Sequence, residues 1–152
     1  MLKRIILFLL LNFAALAIGG LFTGPGVTSD WYTSLNQAPW TPPGWVFGTA
    51  WTSIMIFFAL YIAYAYERVK SKKRLVLLFA IQWILNVAWN PIFFEFHQTI
   101  AALVTISALT LLTGYMLITY HKNLKILSLM LLPYVIWLCV ATSLNGYILF
   151  NN

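Results

Sequence analysis

What this sequence lacks most is charge. Lys, Arg, Asp and Glu together make up 8% of its 152 residues, and only three are acids: Asp30, Glu67 and Glu95. An ordinary soluble domain carries about 25%, so the chain has too little polar surface to coat a water-facing globule. Its 62% hydrophobic content also excludes a disordered chain, which needs the opposite composition. A single cysteine, Cys139, excludes an intrachain disulfide framework and a cysteine-based zinc cluster. There is no glycine loop for phosphate and no HExxH pair. His97 and His121 flank one apolar stretch long enough to cross a bilayer core of about 30 Å, so they cannot jointly hold a metal or a haem iron. No metal site is expected, and nothing in the pattern points to nucleic acid. For an enzyme, only redox or photochemistry by aromatic rings remains.

What is present is an all-α membrane protein in outline. The charge-free stretches are 5–29, 31–66, 75–94, 96–121 and 126–152, or 25, 36, 20, 26 and 27 residues. A spanning helix needs about 20 apolar residues, so each stretch holds one span and none holds two. The runs are continuous rather than alternating, which favours helices over a β-barrel. The sequence predicts one domain over 1–152, a bundle of five transmembrane helices at roughly 5–23, 44–66, 75–94, 98–120 and 126–149. The long first loop would act as a lid. Lys3-Arg4, the apolar run and Ala15-Leu16-Ala17 have the look of a cleavable signal peptide, but the run continues through Phe22, beyond the usual apolar region of such a peptide. It is therefore taken as the first span.

With five spans, all nine bases (Lys3, Arg4, Arg68, Lys70, Lys72, Lys73, Arg74, Lys122 and Lys125) fall on one side. The positive-inside rule puts that side and the N-terminus in the cytoplasm, with the C-terminus outside. The expected location is a bacterial cytoplasmic membrane, or the mitochondrial outer membrane in a eukaryote. The basic face signals topology and could also meet anionic lipid or an acidic partner.

Four of seven tryptophans lie between residues 31 and 51, with Pro39, Pro42 and Pro43 among them. Trp31, Trp40 and Trp45 suit an interfacial aromatic belt, but three prolines in five positions stiffen the loop beyond what a belt requires. Trp51 falls about 10 Å below the start of the second span. On the third span, Gln82, Asn86, Trp89 and Phe93 share a stripe with Asn90 beside it. Amides at membrane depth belong inside the bundle, either as interhelical bonds or lining a cavity. Pro91 should free a carbonyl there and kink the outer end. On the fifth span Trp137, Ala141 and Asn145 share a face. A large ring beside a small residue, opposite an amide stripe, suits either core packing or a flat hydrophobic ligand. Ala15/Gly19 and Gly20/Gly24 give small-residue spacing on the first span.

Three segments in order resemble the translocator protein or tryptophan-rich sensory protein family (TspO/MBR, the peripheral benzodiazepine receptor family). The first is Trp31-Tyr32, Leu35, Pro39-Trp40, Pro42-Pro43, Trp45, Phe47 and Trp51. The second is Gln82, Asn86, Trp89, Pro91 and Phe93-Phe94, followed by His97. The third is Leu132-Pro133-Tyr134, Trp137, Ala141 and Leu144-Asn145. The resemblance implies a five-helix membrane protein, often a homodimer. It further implies no required cofactor, and binding of porphyrins such as protoporphyrin IX and haem. Isoquinoline carboxamides and benzodiazepines are implied as well, and cholesterol in some members. Carried over by motif position, the binding pocket would include Tyr32, Pro42, Trp51, Asn86, Asn90, Trp137 and Ala141. Some bacterial members resemble enzymes that degrade porphyrin with light and oxygen, for which the matching tryptophans are Trp51 and Trp137. Two positions depart from the pattern. Residue 90 is Asn where many members have Ser or Thr. Tyr147 is followed by no base, so the cholesterol motif is incomplete.

The loop over the expected pocket carries acids and no bases, so charge would not steer an anionic ligand there. The expectation is a flat, lipophilic, weakly charged ligand of the porphyrin type, with a role in tetrapyrrole sensing, regulation or transport. The alternatives are photo-oxidative degradation by Trp51 and Trp137, and a sterol-binding or scaffold role.

Overall fold

A computed structural model describes the whole chain, Met1–Asn152. Its elements are α1 (Leu2–Gly26), α2 (Asp30–Ser34), α3 (Gly44–Arg68), α4 (Lys72–Phe94), α5 (Thr99–Leu124), a 3-10 segment (Lys125–Leu131) and α6 (Leu132–Asn151), with no strand. The last three form one helical run of 53 residues. Laid straight, that run would reach about 80 Å. Yet the hydroxyls of Thr110 and Thr142 sit 2.9 Å apart, so α5 and α6 lie side by side. The chain turns back at Lys125, whose φ is 53°. Five long apolar helices result, as the sequence predicts.

Several of their ends extend beyond expectation. α1 starts at Leu2 rather than 5, α4 at Lys72 rather than 75, and α5 runs to Leu124 rather than 120. Bases do not limit the helices, because long cationic side chains sit in terminal turns with their heads reaching water. The fifth span is corrected at its start. Residues 125–131 form a 3-10 segment, and α-helix begins only at Leu132. Pro133 there falls at the first turn, where its missing N–H costs nothing. The first loop also contains α2, which the sequence reading missed. Ser29 caps it, its Oγ accepting from the Tyr32 N–H at 3.2 Å, and Asp30 occupies the first turn.

α1 packs on α3 and α4, α4 on α5, and α5 on α6, with α3 touching each of the other long helices. In the half of the bundle nearer the bases the core is closed. Phe58 is fully buried, with ring centroids of Tyr134, Phe79 and Tyr61 at 5.3, 5.8 and 6.2 Å. Ala59, Ala63 and Ala65 have no exposed surface and let neighbouring backbones approach. The Tyr61 hydroxyl donates to the Met116 carbonyl at 3.0 Å, and the Asn12 amide donates to the Met55 carbonyl at 3.1 Å. These two polar side chains, costly if left facing lipid, are satisfied across helices.

The bases gather at one end, as expected from five spans. Arg4 bonds Glu67, Arg4 and Lys72 lie 4.8 and 5.3 Å from the Tyr66 ring, and Arg74 bonds the Tyr115 hydroxyl. The outward faces are apolar, with Leu2, Leu10, Leu21, Leu111, Ile118 and Phe150 exposed. Such a surface belongs in a lipid bilayer.

Candidate ligand cavity

At the opposite end the helices splay around a cavity of about 720 Å³, walled by α1, α3, α4 and α6 and roofed by the first loop. The volume falls within the range of about 300–1,000 Å³ common for small-molecule sites. Tyr32, Pro42, Trp51, Asn86, Asn90, Trp137 and Ala141 all line it, so the seven positions marked in the sequence meet around one space. No Asp, Glu, Lys, Arg, His, Cys or Met is among its lining residues.

The amide stripe of α4 divides. Gln82 is outside the cavity, and its Nε2 donates to the Tyr134 hydroxyl at 2.7 Å. It is an interhelical bond rather than a lining group. Asn90 Oδ1 accepts from the Thr23 hydroxyl at 2.6 Å, and Asn90 Nδ2 donates to the Asn86 carbonyl at 2.9 Å. It also lies 3.5 Å from the Val87 carbonyl, the one Pro91 leaves without its helical donor. The Asn86 side-chain amide has no hydrogen bond within the protein and faces the cavity. Asn145 holds Trp89, whose Nε1 donates to Asn145 Oδ1 at 3.1 Å. Trp137 Nε1, by contrast, is buried and has no partner. A buried indole N–H ordinarily finds one.

The aromatic walls are braced from behind. Trp51 meets Tyr134 edge to face at 5.9 Å, and Trp137 meets Phe47 at 5.3 Å. Small residues keep the space open. A Cβ on Gly20, Gly24, Gly44 or Gly48 would meet nothing within 4 Å, and all four line the cavity. Gly19 is different. A Cβ there would come within 2.7 Å of Asn90 Nδ2, so this glycine is what lets α1 close on α4. Ala15 is buried beside it on α1. The Ala15/Gly19 pair thus serves packing inside the bundle, not contact with a second copy.

The lid is fastened at three places, and Trp31 and Trp40 serve as anchors there beyond the belt position the sequence suggests. Trp31 stacks on His97 at 3.9 Å and meets Phe93 at 5.4 Å. Trp40 Nε1 donates to the Ser143 hydroxyl at 3.1 Å, and its ring meets Tyr147 at 5.3 Å. The backbone N–H and carbonyl of Asn36 bond the Asn152 side chain at 2.7 and 3.3 Å. Trp40, 54% exposed, and Trp45, 72% exposed, keep the outward position an interfacial residue would take. Tyr32 lies under the lid against Phe93 and Phe94, and burial pushes its phenol above the ordinary tyrosine value. Gly26 lies so close to Phe94 that a Cβ would enter the ring's space. α1 can therefore pass under the lid only with glycine there.

Sequence reasoning missed Thr23, the hydrogen-bond partner of Asn90. Small-residue spacing marked Gly19 without saying which helix it faced. It also missed Phe47 as a brace and Ser143, Tyr147 and Asn152 as lid anchors. No local pattern distinguishes such anchors from other polar or aromatic residues at a helix end.

Comparison with known proteins gives a consistent result. A family model described as TspO/MBR family matches residues 7–150. The tryptophan-rich protein TspO of Chlorobaculum tepidum is 34% identical over 137 residues, covering 88% of this chain and 86% of that protein. The protein of the same name from Archaeoglobus fulgidus is 34% identical over 143 residues, covering 91% and 92%. The translocator protein of Bos taurus is 34% identical over 123 residues, covering 76% and 70%.

Proposed function

The chain belongs to the TspO/MBR family, and on that premise we propose that it binds a flat, lipophilic, weakly charged ligand of the porphyrin type in the lidded cavity. The role would be tetrapyrrole sensing, regulation or transport. The observation that carries this reading is the wall chemistry. Two large aromatic faces, Trp51 and Trp137, border a space lined by no charged residue, with an uncommitted amide at Asn86. Ring stacking and a neutral amide suit a planar macrocycle. The lining offers no His, Cys or Met to a haem iron, so recognition rests on the ring rather than on the metal. Isoquinoline carboxamides and benzodiazepines, flat and neutral, fit the same chemistry. The cholesterol motif stays incomplete for want of a base after Tyr147.

The orientation proposed is N-terminus cytoplasmic, because all nine bases lie at that end. The membrane would be a bacterial cytoplasmic one, or the mitochondrial outer membrane in a eukaryote. A homodimer is proposed on family membership alone. Titration with protoporphyrin IX tests the main reading through tryptophan fluorescence. Saturable quenching is expected, and quenching that never saturates overturns it.

A second reading is light- and oxygen-dependent porphyrin breakdown. What favours it is that Trp51 and Trp137 border one cavity. The porphyrin would absorb the light and dioxygen would be the oxidant. Illuminating the complex of a Trp51→Phe/Trp137→Phe variant decides this: an unchanged rate of porphyrin loss rules it out.

A further inference from the structure

The basic end of the bundle holds a second feature, independent of the lidded cavity. The two share no lining residue. Where the chain leaves α5 and enters the 3-10 segment, an open cleft of about 440 Å³ is lined by His121, Lys122, Lys125, Ile126 and Leu129. We propose that this cleft is a binding site for the headgroup of an anionic phospholipid. The phosphodiester would lie between Lys122 and Lys125, with an acyl chain along Ile126 and Leu129.

Three observations carry this. The first is charge. Of the three acids, Asp30 and Glu95 belong to the lid end, and Glu67 is committed to Arg4 and the N-terminal amine. Lys122 and Lys125 thus have no counter-ion in the chain, and the compensating negative charge must come from outside it. The second is backbone geometry. Lys125 sits at φ 53°, ψ −122°, the first central position of a type II′ turn, which glycine takes without cost. A lysine held there is strained, and such strain concentrates where a side chain has a task. The turn is pinned to keep it so. Ser128 Oγ donates its one proton to the Lys125 carbonyl at 2.5 Å. It can therefore only accept from His121 Nδ1, 2.8 Å away, and His121 is fixed as the donor at that nitrogen. The third is the neighbouring surface. Ile126 is 73% exposed and Leu129 48% exposed, directly beside two cations. That pairing suits the boundary between headgroups and acyl chains, where a lipid offers charge and hydrocarbon side by side.

Lipid titrations of the full chain in neutral detergent, read by native mass spectrometry and by thermal midpoint, test the site. The wild type should bind phosphatidylglycerol in preference to phosphatidylcholine. Lys122→Gln/Lys125→Gln should bind phosphatidylglycerol about 30-fold more weakly, at roughly fivefold per lysine near a membrane surface. Lys3→Gln/Lys73→Gln removes the same charge elsewhere on the basic end and should lose less than about a third of that on a logarithmic scale. Lys125→Gly separates binding from folding. It relieves the backbone, so the lipid-free midpoint should hold or rise while phosphatidylglycerol binding falls. Equal losses in the two double variants would overturn the site in favour of diffuse attraction. So would full lipid binding by Lys125→Gly. Displacement of phosphatidylglycerol by an equal concentration of glycerol phosphate would overturn the lipid assignment, because the cleft would then recognise a soluble ester.

Discussion

The two halves of this bundle are built from the same helices and filled in opposite ways. Toward the bases, α3 presents Ile54, Met55, Phe58, Tyr61 and Ile62, all at most 2% exposed, and the rings of Phe79 and Tyr134 close on Phe58. Toward the lid, the same helix presents Gly44, Phe47, Gly48 and Trp51 to a cavity of about 720 Å³. Hydropathy does not distinguish the halves. Side-chain volume and polar pairing do. The closed half joins most of its polar groups across helices, as Tyr61 does with the Met116 carbonyl and Gln82 with Tyr134, though Gln82 Oε1 and the Tyr120 hydroxyl stay unpaired there. The open half leaves the Asn86 amide and the Trp137 N–H without partners. Packing creates the stability at one end, and its omission creates the site at the other.

Substitutions at matched positions should expose this contrast. The largest effect is expected from Phe58→Ala, which empties a fully buried ring site and should cost about 3–5 kcal/mol in thermal or denaturant unfolding. A loss under about 1 kcal/mol would mean that the closed half is not the stabilising one. Next come Gly19→Ala and Gly20→Ala. The first drives a methyl against Asn90 and should cost about 1–3 kcal/mol. The second meets open space and should be neutral or stabilise by up to about 1 kcal/mol through helix propensity. Smaller again is the difference between two tryptophans. Trp89→Phe breaks the bond to Asn145 and should cost about 1 kcal/mol. Trp137→Phe removes an N–H that bonds nothing and should leave stability nearly unchanged while weakening ligand. The smallest effect is that of pH. Tyr32 is the only lining residue with a titratable side chain, and burial pushes it up. Its raised value means that any stability linked to its proton is present below about pH 10 and lost only above it. Affinity for a neutral carboxamide probe should therefore stay flat between about pH 5 and 9. A midpoint inside that window would reveal a charged group in the site.

The sequence made the spans legible because lipid leaves helices little choice, and because nine bases at one end leave the count little freedom. It also brought the seven cavity residues into view, since Trp, Pro and amides are conspicuous against an apolar background. What it could not show was pairing. Gln82 and Asn86 are one turn apart and look alike in sequence, yet one bonds Tyr134 and the other faces the cavity. That outcome depends on how α4 is rotated toward α6, which no local pattern encodes. Trp31 and Trp40 read as interfacial residues for the same reason, because His97, Ser143 and Tyr147 are distant in sequence. The 3-10 entry to α6 was hidden too. Its apolar composition matches a helix, and only Pro133 hinted at a helix start.

The most direct test of the central claim, that the open half is a ligand site, is the affinity of Ala141→Thr for protoporphyrin IX. Ala141 borders the cavity on the same face as Trp137 and is buried at the edge of the core, so the added bulk should narrow the space. Affinity should fall by about tenfold or more, a loss of roughly 1.4 kcal/mol, with the fold of the free protein retained. Wild-type affinity in that variant would contradict it.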